Sequence, residues 1–168
     1  MATQPLSSIP AGSDLLIDAN VLIYGVNVVS AECHDLLARC ASREVSAFVT
    51  VDVLADVCHR LMVGEAAGRK LIARPNAANL QGKPQVVRQL GDYWERLREL
   101  RTANIVVLPL DEHRFQRAHV IRQTHGLMTN DSILVAAGDV FGIPSLATND
   151  ADFNGIPWLT VYKPTDIP

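Results

Sequence analysis

The sequence predicts an α/β fold organised around a mostly parallel sheet. Two observations carry this. Short apolar runs bounded by turn residues recur at residues 15–18, 47–49, 105–108, 145–147 and 159–162. Between them lie stretches with apolar residues at three- and four-residue spacing, the period of a helix with one buried face. Strands that alternate with helices call for right-handed crossovers, which set consecutive strands parallel and cover the sheet on both faces. With 168 residues, 48% of them hydrophobic and 20% charged, the chain suffices for one full core and is short for two.

Taken in order, the chain opens with residues 1–13, which carry no periodic pattern and are expected to be a flexible N-terminal segment. The first strand, 15–18, ends in Asp18; Asn20 follows, and then a second apolar run. A helix is expected over 31–43, and a strand at 47–49 leads into a helix over 51–63 with Thr50 as its N-cap. Residues 74–83, RPNAANLQGK, read as a loop from their Pro, Asn and Gly content, and a helix follows over 84–102. The strand at 105–108 precedes a helix over 112–125, for which Asp111 is the expected N-cap. A nearly all-apolar helix over 130–141 precedes the last two strands, and the final five residues are expected to be loose.

Composition narrows the function classes. The longest apolar runs fall far short of the roughly 20 residues of a membrane-spanning helix, so a soluble protein without a membrane partner is expected. No basic cluster or apolar signal core marks the first residues, which points to the cytoplasm. Cys33, Cys40 and Cys58 form no CxxC pair and lie in helical apolar patterns, as buried thiols of a reducing compartment would. The net charge of −3 conceals an uneven distribution: from Arg60 to Arg101 nine basic residues face four acidic ones, a balance of +5 that leaves −8 elsewhere. A basic middle beside an acidic remainder suits a phosphodiester substrate, with Arg60, Arg69, Lys70 and Arg74 as candidate phosphate contacts.

The acids carry the chemistry. Asp18 closes a buried strand at its carboxyl end, where open α/β sheets place ligands. Asp56 lies among Val53, Leu54, Val57 and Leu61 on a helix, where an unpaired carboxylate is costly unless a cation or hydrogen bonds hold it charged. Asp131 opens the apolar helix, and the tripeptide Thr-Asn-Asp at 129–131 returns at 148–150, directly after a strand. Carboxylates gathered in one place repel one another unless a cation intervenes, and an oxygen-only set suits Mg²⁺ or Mn²⁺. An Asp after the first strand also occurs in haloacid-dehalogenase-like phosphatases, but these need a second Asp two residues on, where this chain has Asn20.

In this order the segments IDANVLIY, LADVCHRLM, GLMTNDSILVAA and LATNDADF resemble the four motifs of the PIN-domain family of Mg²⁺-dependent ribonucleases, particularly the VapC-type toxins of toxin–antitoxin pairs. The resemblance covers residues 14–164, taken as one nuclease domain with a basic helical and loop insertion around 64–102. It implies a three-layer α/β/α sandwich with about five central strands. It also implies Asp18, Asp56, Asp131 and Asp150 as catalytic acids, Asp18, Asp131 and Asp150 among them as metal ligands, and Asn20, Thr148 and Asp152 as supporting groups. The implied activity is metal-dependent hydrolysis of RNA, and the implied partners are a cognate antitoxin protein and a second copy of the chain. The family usually has Glu at the second acid, so Asp56, one methylene shorter, leaves as the alternative a non-catalytic PIN-like module that binds RNA or protein.

Overall fold

Leu15, Leu16 and Ile17 are all 0% exposed. Successive strand residues point to opposite faces, so three in a row without solvent contact mean a strand covered on both sides. The structure, a computed structural model, describes residues 3–167. This strand, β2 (Asp14–Ile17), lies inside a six-stranded sheet with β1 (Gln4–Pro5), β3 (Ser46–Thr50), β4 (Val106–Leu108), β5 (Ser145–Ala147) and β6 (Thr160–Lys163). The order is β1-β6-β5-β2-β3-β4 and every neighbouring pair is parallel.

The long helices are α1 (Ala19–Val26), α2 (Ala31–Ala41), α3 (Val51–Gly68), α6 (Asp92–Thr102), α7 (Glu112–His125) and α8 (Thr129–Phe141), with short α4 (Ala77–Leu80) and α5 (Pro84–Val87) after α3. They fall into two packed groups, α1 against α2 and α3 with α3 against α6, and α7 against α8. Among the described residues no single helix is long and apolar enough to cross a membrane. Two glycines permit the closest approaches. A Cβ at Gly25 would lie 2.6 Å from Leu37 Cδ1, between α1 and α2, and one at Gly138 would lie 2.8 Å from Leu16 Cδ1 and 3.0 Å from the Ile143 carbonyl. The second contact lets α8 rest directly on β2.

The α/β expectation holds, with one strand more than the five expected. The sixth is β1, whose Gln4 and Pro5 pair with Tyr162 and Lys163. The N-terminal segment was expected to be flexible, and residues 4–9 correct this: Leu6 and Ile9 are 2% and 3% exposed, and Arg39 donates to the Ile9 carbonyl at 2.6 Å. A two-residue strand with both side chains exposed leaves no alternation for sequence periodicity to detect. Residues 1 and 2 of that segment lie outside the described residues. At the other end, Asp166 accepts from the Ser30 hydroxyl at 2.6 Å and Thr165 N–H donates to Glu32 at 2.8 Å, so residues 165 and 166 are tied to α2 instead of loose, while residue 168 lies outside the described residues.

Three helix expectations change. The apolar run after Asp18 becomes α1, with Asp18 as N-cap. Asp111 caps α7 as expected, accepting from Arg114 N–H at 2.9 Å, but the buried Thr50 hydroxyl makes no capping bond to α3. The helix expected over 84–102 divides into α5 and α6 at Gly91. The Glu65 carboxylate on α3 accepts from the N–H groups of Gly91 and Tyr93 at 3.0 and 2.9 Å, capping α6 from outside its own segment. Burial works against the charge on Glu65, yet these N–H donors and Arg69 at 2.9 Å outweigh it and hold its pKa below the usual range. Around this contact Val63, Ala66, Ile72, Leu80 and Val86 form a small second cluster that anchors the 64–102 segment on α3.

Replacing Gly138 by Ala is expected to cost about 1–3 kcal/mol of stability, because the Ile143 carbonyl cannot yield as a side chain can. Urea denaturation measures this, and a loss below ~0.5 kcal/mol would mean that α8 has room to rise off the sheet.

Candidate active site

The strand order locates the site. From β2 the chain runs outward to β3 and β4 on one side, then returns to β5 and β6 on the other, so the direction reverses between the neighbours β2 and β5. At such a reversal the connections at the carboxyl ends diverge and leave a crevice. Asp18 follows β2 there, and Thr148 to Asp150 follow β5.

A hydrogen-bond network joins the two strand ends. The Asp18 carboxylate accepts from Ala19 N–H at 2.6 Å, from the Thr148 hydroxyl at 2.7 Å and from the Asn20 side-chain amide. That amide also reaches Thr148 Oγ1 at 3.2 Å, while Asn20 Oδ1 accepts from Asn149 N–H at 3.0 Å. Thr148, itself fully buried, accepts from Asp150 N–H at 3.0 Å. Asn20 and Thr148 therefore set the positions of Asp18 and of the loop bearing Asp150. An Asn in place of an acid at position 20 has a clear physical use, since its amide donates to Asp18 where a carboxylate would repel it.

Two helices bring the other acids. Asp56 lies in the second turn of α3 and pairs with Arg60 at 2.9 Å, its side chain 29% exposed. The cation that its apolar surroundings demanded is thus already present on its own helix. Asp131 lies in the first turn of α8, where free backbone N–H groups favour negative charge. That turn is pinned by the buried Ser132, whose hydroxyl donates to the Thr129 carbonyl at 2.7 Å and accepts from Arg122 of α7 at 2.9 Å.

Asp18, Asn20, Asp56, Arg60, Asp131 and Asp150 line one pocket of about 360 Å³, with Val53 and Leu134 among its apolar lining. Met128, Thr129 and Asn130 also line it, so the whole first Thr-Asn-Asp tripeptide and the Asp150 of the second reach the same pocket. That repeat was the available signal for Thr129 and Asn130. Electrostatics confirms the crowding. Burial, then the negative charges of Asp18, Asp150, Asp152 and Asp56, push Asp131 up to about 6. Burial also raises Asp18, against the opposing pull of Thr148 and Ala19.

Other sequence candidates lie elsewhere. Asp152 is exposed and donates its N–H to Asp150 at 2.9 Å; it acts on Asp131 through charge but does not line the pocket. Of the basic candidates only Arg60 reaches the acids. Arg69 is engaged with Glu65 and with the Gln89 carbonyl at 2.6 Å, and Lys70 and Arg74 lie on the exposed turn and loop after α3. His59 faces a separate cavity with Lys83, Pro84 and Arg88. Asp52 is outside the pocket, with both carboxylate oxygens buried and unpartnered and its pKa raised by burial. Cys33 and Cys40 are buried free thiols, each pushed up to about 11 by burial, and Cys58 is a free thiol partly exposed.

Among the described residues no three His, Cys, Asp or Glu side chains stand as a ready-made metal ligand set. The donor chemistry nevertheless fits Mg²⁺ or Mn²⁺. Every pocket acid offers hard oxygen, a cation would favour the charged form of Asp131 that burial and the neighbouring acids oppose, and Mg²⁺ is commonly held by one or two carboxylates with several waters retained.

Comparison with known proteins adds a family. The model of the PIN domain matches residues 15–159. No curated protein matches the chain. Among solved structures, one is described as VapBC2 from Rickettsia felis bound to a DNA fragment from their promoter. It is similar with a TM-score of 0.56 and 15% identity, over 89% of this chain and 98% of that one. Another, a toxin–antitoxin complex from Klebsiella pneumoniae, is similar with a TM-score of 0.57 and 20% identity, over 91% of this chain and 99% of that one.

The pKa of Asp131 makes a signed prediction. Without metal the folded chain holds this proton up to about pH 6, whereas an unfolded Asp releases it near ~4. The folded state therefore binds the extra proton in that window, and stability falls as pH rises through it. Asp131→Asn is expected to flatten the slope and to be more stable by about 1–2 kcal/mol above pH 7, discounted for partial solvent screening. Urea denaturation in EDTA from pH 4 to 8 reads both quantities; an unchanged slope would place the strain on another group.

Proposed function

The chain belongs to the PIN-domain family, and on that footing we propose that it is a metal-dependent endoribonuclease that hydrolyses RNA phosphodiester bonds, the toxin of a type II toxin–antitoxin pair. The observation that carries this reading is the convergence of Asp18, Asp56, Asp131 and Asp150, from four separate stretches of chain, on one pocket at the sheet's reversal point. No Ser-His or Cys-His pair takes part in it.

Asp18, Asp131 and Asp150 would hold the metal. When bound, Mg²⁺ or Mn²⁺ supplies positive charge against the phosphodiester and acidifies water. The chain's own groups do the positioning. Thr148, Asn20 and Ala19 hold Asp18 in one orientation, so little reorganisation is left for the moment of reaction. Asp56 orients the attacking water, and Arg60, a guanidinium with a fork suited to phosphate oxygens, receives the scissile phosphate. Their ion pair is of the helical i,i+4 kind, worth only about 0.3–0.5 kcal/mol, so it yields readily to substrate. The products are a phosphate monoester and a free hydroxyl.

The likeness to two toxin–antitoxin complexes supports an antitoxin partner, and an acidic pocket of this kind would accept a basic side chain from it. A second copy of the chain and a cytoplasmic setting belong to the same reading. One observation favours the alternative, a non-catalytic RNA- or protein-binding module: Arg60 already neutralises Asp56.

Incubation of a mixed single-stranded RNA pool with purified wild type, Asp18→Asn and Asp131→Asn, each in Mg²⁺, Mn²⁺ or EDTA, separates the two. Cleavage is expected from wild type only with metal, and to drop roughly a hundredfold or more in each variant. Full activity in both variants, or activity in EDTA, would sink the assignment. A folded wild type with no metal-induced rise in Tm and no cleavage would favour the binding module.

A further inference from the structure

Beside the acidic pocket lies a second cavity of about 400 Å³, within the range of small-ligand sites, and Arg60 lines both. Its other walls include Asn27 from the end of α1, Glu65 from α3, and Tyr93 and Arg96 from α6. From these we infer that it is a nucleotide subsite, holding the RNA residue next to the scissile phosphate by one phosphate contact and one stacked base. The inference rests on the ribonuclease reading and assigns residues which that reading does not use.

The cations divide in a way that supports it. Arg69 is consumed by Glu65 and the Gln89 carbonyl, a structural pairing. Arg96 forms no ion pair among the described residues; Asn27 Oδ1 at 2.7 Å and the Val26 carbonyl at 3.4 Å hold it, both neutral acceptors. It is thus oriented without being discharged, which is the condition for binding an anion. Asp92, also on the wall, offsets part of the remaining charge, so the site suits one phosphate better than a run of them.

Tyr93 supplies the apolar half. Its backbone is fixed by Glu65, its ring meets Trp94 edge-on at 6.5 Å between centroids, and it is only partly buried. An aromatic held in place beside an arginine is how single-stranded nucleic acid is bound without reading its sequence. Arg60 connects this cavity to the acids, so a strand whose scissile phosphate lies on Arg60 would place its neighbouring nucleotide here.

The test compares wild type with Arg96→Gln, Tyr93→Leu and Tyr93→Phe, first confirming wild-type Tm. Two readouts are used: anisotropy of a labelled eight-nucleotide RNA in EDTA, and steady-state cleavage in the active metal. Arg96→Gln is expected to weaken binding about five- to tenfold and to shrink the slope of log K against log salt by about 0.7, one phosphate's share. Tyr93→Leu is expected to weaken binding by a similar factor with the salt slope unchanged, and Tyr93→Phe to restore it. In cleavage both losses should appear in KM, with kcat within about twofold of wild type. Wild-type affinity and KM in every folded variant would overturn the subsite while leaving the nuclease reading intact. A wild type that neither binds nor cleaves RNA would overturn both.

Discussion

The structure depends above all on the largely desolvated Asp18, which follows the three fully buried residues Leu15, Leu16 and Ile17 of β2. A carboxylate in that place is costly, and its surroundings are built to bear the cost. The first N–H of α1, the Thr148 hydroxyl and the Asn20 amide all donate to it. Two of these donors tie the loop after β5 to the start of α1, so the group that charges the pocket also sets its shape. Asp18, Asp131 and Asp150 share one pocket, and the proton that Asp131 retains at mildly acidic pH reflects its burial first and the negative charge of its neighbours second.

The rest of the fold holds these charges in place. Gly138 lets α8 settle on β2, which brings Asp131 to the strand ends. From the other side α7 holds α8 through Arg117 and Asp139 at 2.6 Å, Arg122 and Ser132, and Arg114 over the Phe141 ring at 4.6 Å. The exposed Arg117–Asp139 pair contributes little stability by itself. Distributed along the helix pair, these contacts restrict how α8 can shift, and a small shift there would move Asp131 relative to Asp18.

Glu65 plays a comparable part for the second cavity. It caps α6 from α3 and so sets Tyr93 and Arg96 on the wall of that cavity. Periodicity alone carried one helix across 84–102, because the apolar spacing continues through residues 86–100. What divides it is a carboxylate some 26 positions earlier in sequence, received by the N–H groups of Gly91 and Tyr93. The failed expectation therefore falls where a long-range contact replaces a local signal.

Much of the fold and of the acidic pocket was legible in the chain itself. Short, mostly apolar strand runs of three or four residues, helical spacing, the Asp111 cap and the acids placed at or just past strand ends are local patterns, and local physics produces each of them. The four motifs together also identified the family, since their order and spacing constrain one another. Tertiary structure decided the rest. It recruited the two-residue β1, placed Arg60 between Asp56 and a second cavity, turned Arg69 inward to Glu65 and left Arg96 as a cation without an ion-pair partner among the described residues. Each of these outcomes depends on which groups meet across long stretches of chain, and charge counted along a sequence does not record whether a neighbour in space has already neutralised it.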